Sequence, residues 1–127
     1  MLVRERMSSP AVTIPRDTEY TKALELMQQK RLRRLPVVDR DGRLAGIVAE
    51  RDLLLAATRY PRAGVDVSEC MATKVVTAAP GMTLREAARL MLAHRVGGLP
   101  VVDGGALVGI ITESDIFRRF VEMEGGA

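Results

Sequence analysis

The chain has 127 residues, 47% of them hydrophobic but only 3% aromatic, and a net charge of +3. That length fits one compact domain or two tightly fused small ones; with no Trp, and with Tyr20, Tyr60, Phe117 and Phe120 as its aromatics, it lacks the stacking platforms that hold single-stranded nucleic acid. No run of about 20 apolar residues reads as a membrane span, the first residues Met1-Leu2-Val3-Arg4-Glu5-Arg6 lack the apolar stretch of a signal peptide, and Cys70 has no second cysteine to pair with, which together suit a cytoplasmic setting.

Residues 1–9 read as a lead-in, and Ala11–Ile14 as a short extended segment closed by Pro15. Ala23, Leu24, Leu26 and Met27 supply an apolar stripe that predicts a helix over Thr18–Arg31. Leu35–Val38 is a continuous apolar run, the pattern of a strand buried on both faces. Asp39-Arg40-Asp41-Gly42 is a hairpin turn, Leu44–Val48 the returning strand and Glu50–Arg59 a second helix. Tyr60–Gly64, with Pro61 and Gly64, is a link. The order then repeats: a helical lead-in at Val65–Met71, a strand at Val75–Ala78, and a helix that opens on the capping box Thr83…Glu86 and runs to about His94. Leu99–Val102 and Ala106–Ile111 form a hairpin through Gly104-Gly105, Thr112–Val121 is the closing helix, and Gly125-Gly126 frays.

The repetition is literal. Leu35-Pro36-Val37-Val38-Asp39 returns as Leu99-Pro100-Val101-Val102-Asp103, Met7 pairs with Met71, Arg31 with Arg95, Gly46-Ile47 with Gly109-Ile110 and Asp52 with Asp115. A long period with fixed internal order is a duplicated supersecondary unit. Residues 1–63 and 64–127 are the two units, with cores at 7–59 and 68–121. Each reads strand, helix, strand, strand, helix, an α/β (α+β) class with a small mixed sheet. A half of about 60 residues is near the limit for a stable lone core, so the halves are expected to pack together, about a pseudo-two-fold axis. Residues 1–63 hold thirteen Lys/Arg against eight Asp/Glu, concentrated at Lys30-Arg31-Leu32-Arg33-Arg34, and residues 64–127 hold six against eight. The ordinary reading of that cluster is a solvated helix C-terminus, and the alternative is an anion site.

The second hairpin runs straight into Gly109-Ile110-Ile111-Thr112-Glu113-Ser114-Asp115. Thr112 and Asp115 fall on one face of the first helical turn, where a hydroxyl, a carboxylate and free backbone N–H groups converge on the positive end of a helix. Such an end attracts phosphate, and a carboxylate can accept both hydroxyls of a ribose. Thr-x-x-Asp is also simply a capping box. Three features favour the site: Asp52 repeats the acid, glycine precedes both acids, and the first copy keeps the acid while Ala49 replaces the cap threonine. A sequence kept only for capping is expected to keep the hydroxyl first. Cys70, the lone His94 and the methionines Met27, Met71, Met82 and Met91 read as packing or helix-end residues, and no set of residues has metal-ligand spacing.

These motifs carry a resemblance. From about residue 7 to residue 121 the chain resembles a tandem of CBS (cystathionine β-synthase-type) domains, a Bateman module. The resemblance implies β-α-β-β-α units, two ligand clefts at their junction, an adenosyl ligand such as AMP, ADP, ATP or S-adenosylmethionine, and assembly as a disc-like homodimer. It gives one cleft Asp115 for ribose, Thr112 and Ser114 for phosphate or ribose, Ile110, Met7, Pro10, Val12 and Leu32 around adenine, and Arg33 and Arg34 for phosphate. It gives the second cleft Asp52, Arg51, Ile47, Met71, Lys74, Val76, Val96 and Gly97. There the pattern departs, since Ala49 has no hydroxyl and Gly97-Gly98 stand in place of Arg33-Arg34, so that cleft is expected to be weaker, empty or differently selective.

The expected function is a regulatory sensor without catalysis, with no required cofactor and no metal, that binds an adenine nucleotide and signals to an effector protein of unknown identity. No nucleophile–base pair supports an enzyme. The alternatives are a dimerisation module with degenerate clefts and an S-adenosylmethionine-binding pair. A nucleic-acid partner is disfavoured by the missing aromatics and the modest charge.

Overall fold

The computed structural model describes residues 1–59 and 64–125. Its elements in chain order are β1 (Ile14–Pro15), α1 (Tyr20–Lys30), β2 (Arg34–Val38), β3 (Leu44–Ala49), α2 (Glu50–Arg59), α3 (Leu84–His94), β4 (Gly98–Asp103), β5 (Ala106–Thr112) and α4 (Glu113–Gly125), with single 3-10 turns at Val3–Glu5 and Val67–Glu69. Helices and strands are mixed as an α+β class, in two repeated units. Most of the link at Tyr60–Gly64 lies outside the described residues.

The compact units are not cut where the repeats are. One is Val12–Val75; the other joins Met1–Ala11 to Val76–Ala127. The reason is visible in the cores. Val3 is fully buried with Ala78, Leu84, Ala87, Met91, Leu99, Val101 and Ile111. Val67 is fully buried with Ile14, Tyr20, Ala23, Met27, Leu35, Val37, Val48, Leu53 and Ala56. Each lead-in turn therefore completes the core of the repeat that its own sequence neighbourhood does not contain. Val3 N–H donates to Met82 O at 2.8 Å, and Val67 N–H to Thr18 O at 2.8 Å.

In the Val12–Val75 unit, β1 runs parallel to β2, and β2 runs antiparallel to β3. Only Ile14 and Pro15 of the expected extended segment pair as a strand. The expected helix from Thr18 begins at Tyr20, because the residues before it are already used: Thr18 N–H closes a turn on Pro15 O, and Glu19 bridges to Asp66. Met27 and Ala23 are buried, whereas Leu24 and Leu26 pack only partly against the core.

In the other unit, β4 and β5 form a two-stranded hairpin turned by Gly104 and Gly105 at φ 57° and 85°, the paired positive angles of a tight hairpin. The expected strand at Val75–Ala78 is absent; Ala78 alone makes a parallel bridge to Val101. Pro80 explains why the pairing stops at that one bridge. It stands where the first repeat has Arg16, whose N–H donates to Val38 O at 3.2 Å, and proline has no such donor. The expected helical lead-in at Val65–Met71 is only the 3-10 turn Val67–Glu69, and Thr112 ends β5 instead of opening α4. Gly125, expected to fray, is the last residue of α4; Gly126 lies outside the described residues.

Both hairpins carry the same bulge. Val37 faces Gly46 but Val38 faces Leu44, and Val101 faces Gly109 but Val102 faces Leu107. One extra residue on the returning strand, Ala45 or Val108, bends it just before its glycine.

Candidate functional site

Each returning strand passes into a helix without a loop, at Ala49–Glu50 and at Thr112–Glu113. Asp115 Oδ2 accepts from Thr112 N–H at 2.8 Å and from Thr112 Oγ1 at 3.0 Å. Its Oδ1 accepts from Arg118 Nη1 at 3.1 Å. At 8% exposure Asp115 is the only buried charged side chain among the described residues. In the first repeat Asp52 Oδ2 accepts from Ala49 N–H at 3.0 Å, and Asp52 is half-buried.

This geometry revises one sequence argument. The retention of the acid without the threonine was expected to speak against capping. In both units the acid itself caps, by taking the N–H of the residue at which the strand ends, and that needs no hydroxyl at Ala49. The repeated carboxylate is thus accounted for structurally, and any ligand role is additional to it.

The glycines also have a local occupant. A Cβ on Gly109 would stand 2.6 Å from Ser8 O and 2.8 Å from Met7 Sδ; one on Gly46 would stand 2.6 Å from Met71 Sδ and 2.7 Å from Ala72 O. The missing side chain admits the chain's own lead-in. Ser8 and Ile110 exchange both backbone hydrogen bonds, at 2.9 and 3.0 Å, and Ile47 and Ala72 do the same at 3.0 and 2.9 Å. Met7 and Ile110 are brought together in one unit in this way, and Met71 and Ile47 in the other.

The remaining residues fall as follows. Thr112, Asp115, Ser114, Ile110, Met7 and Pro10 share the unit that contains α4, with Ser114 and Pro10 exposed. Val12, Leu32, Arg33 and Arg34 belong to the other unit. Arg34 is paired in register with Ala49, and Arg33 O accepts from Glu50 N–H at 2.7 Å, so both stand beside the Asp52 junction of their own unit. Likewise Gly98 is paired with Thr112, and Gly97 O accepts from Glu113 N–H at 3.0 Å, beside the Asp115 junction. Asp52, Arg51, Ile47, Met71 and Lys74 lie in the Val12–Val75 unit, while Val76, Val96 and Gly97 lie in the other. Arg51 and Lys74 are exposed.

Sequence reasoning missed the charges around α4. Arg118 sits one turn after Asp115, and that i, i+3 spacing could have revealed the pair. Arg6 grips Glu122 with both guanidinium nitrogens, Nη1 to Oε2 at 2.6 Å and Nη2 to Oε1. No local signal could have shown a contact between the two ends of the chain. The hydrogen bond from Arg6 holds the Glu122 carboxyl below its ordinary range and raises the arginine. Burial pushes the Cys70 thiol up, which makes it a poor nucleophile. Among the described residues no group of His, Cys, Asp and Glu is placed to hold a metal ion, and no helix is long and apolar enough to cross a membrane.

The model of the CBS domain matches residues 3–59 and 67–122. A CBS domain-containing protein of Dictyostelium discoideum is 38% identical over 97% of this chain and 93% of its own length. An inosine-5'-monophosphate dehydrogenase of Nitrosopumilus maritimus is 39% identical, but over only 21% of its own length, so the likeness covers a part of that enzyme. The crystal structure of the CBS domain pair of protein MJ0100, in complex with 5'-methylthioadenosine and S-adenosyl-L-methionine, superposes with a TM-score of 0.89 at 29% identity, covering 97% of this chain and 98% of that one. That of CBSX2 in complex with AMP does so with a TM-score of 0.82 at 29% identity, covering 97% and 98%.

Proposed function

The chain belongs to the CBS domain family, as a tandem pair, and on that premise we propose that it is a non-catalytic regulatory module that binds an adenine nucleotide. The observation that carries this reading is the buried Asp115 at the strand–helix junction, a carboxylate at the positive end of a helix beside the hydroxyl of Thr112. Asp115 accepts from the ribose hydroxyls, Thr112 and Ser114 face the phosphate at the start of α4, and Ile110, Met7 and Pro10 give apolar surface to the adenine. Val12, Leu32, Arg33 and Arg34 are assigned to this ligand by family resemblance alone, as are Asp52, Arg51, Ile47, Met71, Lys74, Val76, Val96 and Gly97 to a second one. Complexes of MJ0100 with adenosyl ligands and of CBSX2 with AMP support the ligand class. AMP, ADP or ATP are preferred here to S-adenosylmethionine because the chain sets arginines near both junctions.

Binding shifts the population between conformations or assemblies, and an effector protein reads the shift. A homodimer is part of the proposal. Phe117, Phe120 and Val121 are 60%, 60% and 65% exposed at i, i+3 and i+4 on α4, an apolar stripe that a second copy would cover. The single cysteine fits a cytoplasmic setting.

The test is a thermal-shift panel with AMP, ADP, ATP, S-adenosylmethionine and 5'-methylthioadenosine. A ligand at a hundredfold its Kd adds about 2.7 kcal/mol of stability. A shift with an adenine nucleotide that is lost in Asp115→Ala is the expected result. A second reading, a purely assembling module, is favoured by the donors that already occupy both oxygens of Asp115. It predicts no shift with any of the five, and a dimer that Phe120→Asp dissociates in sedimentation.

A further inference from the structure

The two junctions share a backbone, and one difference between them is a cation held on the acid of the second. Arg118 donates to Asp115 Oδ1 at 3.1 Å, while the equivalent position beside Asp52 is Leu55. Each oxygen of a carboxylate offers about two acceptor positions. Oδ2 of Asp115 already holds two donors, both from Thr112. A vicinal diol that seeks this carboxylate therefore meets Oδ1, and meets Arg118 on it. The carboxylate is 9% exposed and the arginine 70% exposed, so the acid is held in place while the cation is free to leave along its long stem.

We propose that Arg118 is the specificity residue of the Asp115 junction: one ribose hydroxyl takes the open position on Oδ1, and the second takes the place of Arg118 only at the cost of an ion pair that an anionic ligand restores. A neutral nucleoside displaces the guanidinium and gives it nothing. A nucleotide displaces it and offers a phosphate, which a guanidinium holds by two parallel hydrogen bonds. The Asp115 junction thus discriminates for phosphate through the residue that blocks it. The first repeat has Leu55 where the second has Arg118, so the Asp52 junction lacks this particular pair. The inference rests on the reading of Asp115 as the ribose acceptor.

The experiment measures AMP and adenosine by calorimetry in an Asp52→Ala background, so that the Asp115 junction reports alone. Arg118→Leu, which installs the residue of the first repeat, is compared with Arg118→Lys and with the unchanged Arg118. The expected result is that Arg118→Leu tightens adenosine and weakens AMP, lowering the AMP-to-adenosine affinity ratio about tenfold, the scale of one charge-assisted hydrogen bond. Arg118→Lys retains most of the ratio, since it keeps the charge and loses only the fork. An unchanged ratio in Arg118→Leu, with both ligands still bound, overturns the role of Arg118 and leaves the nucleotide reading standing. A loss of AMP affinity with no gain for adenosine overturns the displaced pair and leaves Arg118 a plain phosphate contact. Binding of neither ligand by the protein with Arg118 intact overturns both.

Discussion

Gly109→Ala is expected to cost about 2–4 kcal/mol, far above the usual effect of adding one methyl group to a strand. The new Cβ would stand 2.6 Å from Ser8 O and 2.8 Å from Met7 Sδ, and one of these is backbone. The thioether can rotate away but the carbonyl cannot, because Ser8 O accepts from Ile110 N–H at 3.0 Å and Ser8 N–H donates to Ile110 O at 2.9 Å. Relief requires the lead-in to move. That weakens two backbone hydrogen bonds, worth about 1 kcal/mol each. It also loosens Val3, which is fully buried and whose side chain contributes about 1.5–3 kcal/mol when wholly removed from water. Partial loss of each gives the stated range and lowers the Tm by roughly 5–15 °C. The assay is urea unfolding followed by circular dichroism, with hydrogen exchange of the Ile110 amide as the local probe. Gly81→Ala is the control, since its nearest neighbour would be Arg4 Nη1 at 3.9 Å. If the two variants agree within about 0.5 kcal/mol, or if the Ile110 amide stays protected in Gly109→Ala, the close approach does not hold the lead-in and the reasoning fails.

Asp115→Ala should destabilise by about 1–2 kcal/mol through the lost cap, and more than Asp52→Ala, whose cap has no threonine hydroxyl on the carboxylate; parallel denaturant melts compare them. Arg95 ends α3 at φ 54°, a left-handed angle that costs an L-residue about 1 kcal/mol, so Arg95→Gly should raise stability by about 0.5–1 kcal/mol in the same melts. The carboxyl of Glu122 is held below its ordinary range by Arg6, so its contribution is complete above the usual glutamate range and fades as pH falls through the lowered value. A Tm profile from pH 7 to pH 2 should therefore drop less steeply on the acid side in Glu122→Gln than in the unaltered chain, and parallel profiles would refute the pairing.

How much was legible beforehand depends on the range of the interaction. The helix over Glu50–Arg59, the Thr83 N-cap and the hairpin through Gly104-Gly105 were read from residues within one turn or two of each other, and the Thr83 hydroxyl does accept from Glu86 N–H at 3.1 Å, the threonine half of the expected capping box. The starts of α1 and α4 were not, because each depends on whether a distant backbone group supplies or takes a hydrogen bond; the missing strand at Val75–Ala78 was not either, although Pro80 stands in the sequence beside it. Asp115 is legible as the acid of its strand–helix junction, and so is its counter-ion Arg118 from the i, i+3 spacing, though sequence reasoning missed it.

The sequence by itself determined the duplication, the α+β class and the two strand–helix junctions with their acids, since each is written in local pattern and in the repetition of that pattern. Only the tertiary structure decided which pieces share a core. Val3 and Val67 each fill a space in the other repeat's helix–sheet packing, and the lead-ins follow them. It also decided what Gly46 and Gly109 are for, and that Arg33 and Arg34 stand beside the Asp52 junction of their own unit. Period and composition carry no information about which buried surface a short apolar turn will complete; that is settled by shape and by unpaired backbone groups once the chain has closed on itself.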